Sequence, residues 1–278
     1  MENYSSPLQK YKREPKLLID LPSKGSFYPR NALEKATELE VYSMTASDEM
    51  RLKTPDALYT GNAVVNTIQR CIPGIKDAWA MPVIDVDYVL AAIRLATYGE
   101  NITINSKCPE CSNEDAYGIP IQSILDHYNS VNFINEFRIN NFIFRIRPLN
   151  YRELTDIQQK SFTIQRQLNQ YVSQIDDQEK QQAEVNRLFD DINSITINTI
   201  QKVVVEITTP DGDKEMHHQF IVDFLENGEK EYFEETKKVY ETNLENWNIK
   251  PSSVACSACS HEYKILPNLD YSSFFGRG

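Results

Sequence analysis

Hydrophobic and polar positions change period several times along this chain, and each change predicts an element. Residues 38–44 (ELEVYSM) alternate as a half-buried strand, and Thr45 follows as an N-cap with Asp48 and Glu49 in the first helical turn. Helical spacing returns over 56–70 and over 85–98, where Val86, Val89, Leu90, Ile93 and Leu95 or Ala96 share one face. The stretch NITINSKCPECSNEDAYGIPI (101–121) alternates on both sides of its cysteines, which predicts a hairpin with CPEC at the tip.

That order then recurs. FIFRIRPLNYRELTDI (142–157) parallels LEVYSMTASDEMRL (39–52) as strand, turn and acid-bearing helix. EKEYFEETKKVYETN (229–243) parallels the helix at 85–98, and NIKPSSVACSACSHEYKILPNL (248–269) parallels the first hairpin. The strand-to-helix junctions lie about 104 residues apart. Cys108 and Cys256 are 148 apart, so the second copy carries an insertion, placed at 160–212. Leu154, Ile157, Ser161, Ile164, Leu168, Tyr171 and Ile175 step by three and four as the seam of a packed helix pair, and Val185, Leu188, Phe189 and Ile192 supply the returning face. INTIQKVVVEITT (197–209) satisfies both periods, because its β-branched run suits a strand while Ile197, Ile200, Val204 and Ile207 suit a helix; it is read as helix.

The predicted class is therefore α+β, mainly helical. Two pseudo-repeated strand-helix-hairpin halves are joined by a zinc-ribbon-like four-cysteine site, with a long helical insertion in the second. Residues 1–20 form an extended arm with few apolar side chains, 21–135 the first repeat and 136–278 the second. The loop LPSKGSFYP (21–29) cannot be helical around Pro22, Gly25 and Pro29, and offers Phe27 and Tyr28 as aromatic anchors. With the arm's Tyr11, Leu17 and Leu18, these are the candidate partner contacts.

Composition narrows the chemistry. Residues 176–245 hold 18 Asp and Glu against 7 Lys and Arg, which equals the whole net charge of -11. A surface so acidic repels phosphate backbones, so no nucleic-acid partner is expected. No membrane partner is expected either: the opening MENYSSPLQKYKREPK is too polar for a signal peptide, and no apolar run is long enough to span a bilayer. The expectation is a soluble chain made in the cytoplasm.

Five cysteines, four of them in two C-x-x-C pairs, read in a reducing compartment as metal ligands rather than bridges. Cys108, Cys111, Cys256 and Cys259 together make a closed four-thiolate set that suits one structural zinc per chain, and iron also accepts such a set. The 144 residues between Cys111 and Cys256 far exceed the spacing of a compact ribbon, so one ion would clasp distant parts of the chain. His261 reads as a neighbour of the site, Cys71 as a core thiol, and Trp79 and Trp247 as packing anchors. A closed site denies the open position that a catalytic zinc needs. The deaminase and zincin signatures are absent, as is a glycine-rich phosphate loop. Neither an enzyme nor a small-molecule substrate is expected.

LPSKGSFYP at 21–29 and LEVYSMTASDEMRLKTPDALYTGNAVVNTIQRCIP at 39–73 resemble the baseplate hub protein family of contractile-tailed, T-even-type bacteriophages. The likeness runs through the Gly-Phe-Tyr loop, the Met-Thr-Ala-x-Asp-Glu turn and the helix ending near Cys71 and Ile72; the insertion at 160–212 departs from it. The resemblance implies a non-catalytic virion subunit of the tail baseplate, assembled in the host cytoplasm and bound to other baseplate or tail proteins. Two alternatives stay open: a hub assembly factor absent from the mature virion, and a zinc-ribbon regulator that binds nucleic acid.

Overall fold

The structure is a computed structural model that describes residues 8, 12–54, 59–170 and 178–267. Tyr11, Asp56, Tyr171 and Ile175 lie outside them. The chain divides into two compact units, the first drawn from 1–78, 85–130 and 249–278, the second from 79–84 and 131–248. The chain returns to the first unit after Asn248. The second cysteine hairpin touches the first, within that unit.

In the first unit, β1 (Pro15–Ile19) runs antiparallel to β2 (Leu39–Tyr42), pairing Ile19 with Leu39 and Leu18 with Glu40. The end of the expected arm is thus a strand, anchored by the buried Ile19 and by backbone pairing. β2 leads into α1 (Ala46–Leu52) through a capping box in which Thr45 and Asp48 satisfy each other's backbone N–H groups. Asp48, 1% exposed, also meets Arg70 at 3.0 Å. The second helix, α2 (Asn62–Cys71), follows Gly61 at φ 74. It buries Val64, Val65, Ile68 and Cys71. Gly74 has no room for a side chain, since a Cβ there would meet Leu39 Cδ2 at 2.5 Å.

α3 (Val83–Tyr98) supplies the buried Val89, Leu90 and Ile93, and joins this unit from Asp85 onward. β3 (Asn101–Lys107) and β4 (Glu114–Pro120) form the predicted hairpin around the first cysteine pair. The sequence reading missed α4 (Ile121–Ser130), although Ile121, Ile124, Leu125 and Tyr128 carry the i, i+3, i+4, i+7 pattern and are all buried.

The second unit is built on a four-stranded antiparallel sheet, β5 (Glu136–Ile139), β6 (Phe142–Ile146), β7 (Val204–Thr208) and β8 (Lys214–Glu215). Between β6 and β7 the chain makes a helical pair, α5 (Tyr151–Gln170) and α6 (Gln178–Val203). Their seam buries Ile164 and Leu188, with Leu168, Val185 and Ile195 against them. Phe189 and Ile192, expected in that seam, are 55% and 37% exposed, because the returning helix turns Ile195 inward instead. The segment 197–209 is also corrected: helix holds to Val203, then the β-branched run switches to a strand whose backbone pairs with β6.

Helices α7 (His218–Asn227) and α8 (Lys230–Trp247) complete this unit. Its core gathers Phe144, Ile146, Val203, Val204, Ile221, Leu225, Tyr232 and Tyr240, with the rings of Phe142, Phe144, Phe224 and Tyr232 in mutual contact. Trp247 donates its indole N–H to Ile84 O, and Trp79 stacks on Tyr151, so both tryptophans act as packing anchors. After α8 the chain forms β9 (Ser252–Ala255) and β10 (Glu262–Ile265), a hairpin belonging to the first unit. No helix among the described residues is long and apolar enough to cross a membrane.

Candidate metal centre

Each cysteine pair sits where a hairpin turns, and the two turns share one backbone geometry. Cys108 N–H donates to Asn113 O at 2.8 Å, while Ser112 N–H returns to Cys108 O at 3.0 Å. Cys256 N–H donates to His261 O at 2.9 Å, while Ser260 N–H returns to Cys256 O at 2.9 Å. Ser112 and Ser260 both take the left-handed conformation, at φ 61 and 60. The shared pattern is visible in the chain as C-x-x-C-S, CPECS and CSACS.

The folded chain brings the four thiols together. Cys111 Sγ lies 3.5 Å from Cys256 Sγ, Cys108 Sγ lies 3.8 Å from Cys259 Sγ, and all four sulfurs fall within 4.8 Å of one another. A tetrahedron with zinc–sulfur bonds of about 2.3 Å has edges of roughly 3.8 Å, so the spacing fits such an ion. Cys108 and Cys256 are buried and Cys111 and Cys259 exposed. Among the described residues no other group of three His, Cys, Asp or Glu side chains is arranged to hold a metal.

Backbone N–H groups point at the sulfurs: Asn113 at Cys111, His261 at Cys259, and Cys259 and Ala258 at Cys256. The Cys259 and Ala258 donors bring the Cys256 thiol down to about 7. The His261 N–H favours the Cys259 thiolate too, but the hydrogen bond with Cys111, burial and the remaining thiols outweigh it and push Cys259 up to about 12. Four sulfurs this close ionise together only beside a cation, so the donor set matches a soft divalent metal.

The other predicted residues are dispersed. His261 is exposed and stacks on Tyr263 at 6.3 Å, away from the ligand role, and Cys71 is fully buried. Leu17 is half-buried and Leu18 is 61% exposed on β1. Phe27 is half-buried at φ 71.

Tyr28 is half-buried, and its hydroxyl donates to Asp85 Oδ2 at 3.0 Å. Asp85 also accepts from Ser23 N–H at 2.9 Å and from Ser23 Oγ at 2.5 Å, so a buried carboxylate pins the 21–29 loop from inside. The sequence reading used Asp85 only as a helix start; nothing in its spacing to Ser23, 62 positions away, announces the contact.

The fold and the cluster together define a mixed α/β protein, with small sheets and one four-cysteine cluster compatible with a metal ion. The chain belongs to the T4 bacteriophage base plate protein family, whose sequence profile matches residues 28–276. It is therefore a phage baseplate protein, and membership implies contacts with other tail or baseplate proteins at the virion tail baseplate. No curated protein and no solved structure matches the chain.

Proposed function

We propose that this chain is a non-catalytic structural subunit of the hub region of the baseplate, closed by one zinc ion in a ribbon of two facing hairpins. The observation that carries this reading is the four-sulfur cluster in a chain of the baseplate family. Four thiolates fill a tetrahedral zinc and leave no position for substrate or water, which favours a structural ion over a catalytic one. The ion would close a loop from which 144 residues emerge, and structural zinc contributes on the order of 10 kcal/mol to folding. A subunit loaded by its neighbours in a tail gains from such a staple.

A duplicated architecture is part of the proposal. Asn150 and Glu153 form the same reciprocal cap at the start of α5 that Thr45 and Asp48 form at α1, each directly after a paired strand. Each half also runs from a helix into a cysteine hairpin with the same turn. Leu18 and Phe27 are the proposed contact residues for neighbouring tail proteins, whereas the Tyr28 hydroxyl is engaged internally.

Quantitative mass spectrometry of purified virions tests the assignment. A fixed copy number per particle supports a hub subunit. Presence in infected cells but absence from mature particles contradicts it and favours the assembly factor.

A further inference from the structure

The two hairpins are tied by a polar network that needs no metal. Asp115, on β4, accepts the Ser257 backbone N–H at 3.1 Å through Oδ2 and the Ser257 hydroxyl at 2.9 Å through either oxygen. Asn113 Nδ2 reaches Ser257 Oγ at 3.4 Å, and Tyr117 OH donates to Asp115 Oδ2 at 3.2 Å. Tyr263 OH continues the chain to Tyr117 OH at 3.2 Å, with the two rings edge to face at 6.0 Å. Ser257 lies inside the second cysteine turn, between Cys256 and Cys259, so whatever fixes Ser257 fixes both ligands.

The network is directional. When the two turns are matched cysteine to cysteine, Ser257 falls on Pro109 and Asp115 on Tyr263. Proline has no N–H to give and tyrosine no carboxylate to receive it, so the carboxylate contact can run only from the first hairpin to the second. The turns share the C-x-x-C-S backbone yet differ at the two positions that make this contact.

We propose that Asp115 is a positioning residue for the metal centre, a latch that holds the Cys256–Cys259 turn against the Cys108–Cys111 turn before the ion arrives. This rests on the metal reading above. Neighbours that orient metal ligands without touching the ion change affinity by about 10- to 100-fold when removed. The latch is expected to act through affinity and not through the identity of the ligands.

The test uses the full chain with Zn2+ in competition with a chromophoric chelator, and Co2+ as a spectroscopic probe. Asp115→Ala is expected to weaken Zn2+ binding by about 10- to 100-fold, with Asp115→Asn, which keeps one acceptor oxygen, restoring part of it. The Co2+–thiolate bands should stay at wild-type positions, because all four sulfurs remain. Asp115→Ala combined with Ser257→Ala should bind little more weakly than Asp115→Ala alone, since both remove the Asp115–Ser257 contact and the double variant loses in addition only the long Asn113–Ser257 bond.

Zn2+ affinity of Asp115→Ala within twofold of wild type, or losses that multiply in the double variant, would overturn the latch. Shifted Co2+ bands in Asp115→Asn would overturn it as well. A wild-type chain without any Co2+–thiolate band would overturn the metal reading itself, and the latch with it.

Discussion

Replacing Asp85 by asparagine removes a charge that the fold holds at 0% exposure while leaving its shape and an acceptor oxygen in place. With its amide oxygen at the Oδ1 position asparagine still accepts from the Ser23 N–H, and its amide nitrogen, at the Oδ2 position, can donate to the hydroxyl oxygens of Ser23 and Tyr28. Burial raises the Asp85 carboxyl from 3.8 to about 6, against the three hydrogen bonds that favour its ionised form. A raised folded value means the native state holds the proton more tightly than the unfolded chain. Asp85 therefore contributes stability that is fully present below pH 3.8 and lost as pH rises through about 6.

Linkage between those two values gives about 1 kcal/mol of change between pH 7 and pH 5, and about 2 kcal/mol by pH 4. Urea unfolding of wild type and Asp85→Asn across this range cancels the titration of every other group in the difference. The variant should gain on the wild type by those amounts as pH rises to 7. A difference that stays flat across the range would refute the burial of an ionisable charge beneath the 21–29 loop.

Leu188→Ala should destabilise the helical pair by about 2–5 kcal/mol, because Leu188 is 0% exposed in a seam where, among the described residues, Ile164 alone is buried beside it. Amide exchange should rise in α5 and α6, and a loss under 1 kcal/mol would show that the seam is not packed. Asp48→Ala should cost about 1–2 kcal/mol by opening the capping box of α1, and it also leaves Arg70 without its partner; an unchanged urea midpoint would contradict that role. Leu18→Asp should leave stability within about 0.5 kcal/mol, since the side chain is 61% exposed, yet impair tail assembly in an infection complementation assay. Full assembly by that variant would remove β1 from the contact surface.

The cysteine centre was legible because its ligands come in two local pairs, and C-x-x-C needs only one turn to present two sulfurs. The same locality made the capping box at Thr45 and the hairpin at 101–121 readable. What stayed hidden was settled by partners far along the chain. Val204 to Thr208 became a strand because β6 offered its edge, a pairing that the helical spacing of Ile200, Val204 and Ile207 could not reveal.

The Asp85 contact with Ser23 and the Asp115 contact with Ser257 join residues 62 and 142 positions apart, beyond any periodicity. Helix α4 was different: its pattern was complete, but the alternation of GIPI just before it masked the change of period. The grouping of the second hairpin with the first in one compact unit likewise joins segments far apart in the chain, which local periodicity does not report.

Metal content by elemental mass spectrometry on untagged protein, paired with a thermal melt before and after chelation, tests the central claim most directly. The account predicts about one zinc per chain and a melt that collapses when the ion is removed, as expected for a structural site worth on the order of 10 kcal/mol. No metal or two metals per chain, or a melt indifferent to chelation, would contradict it.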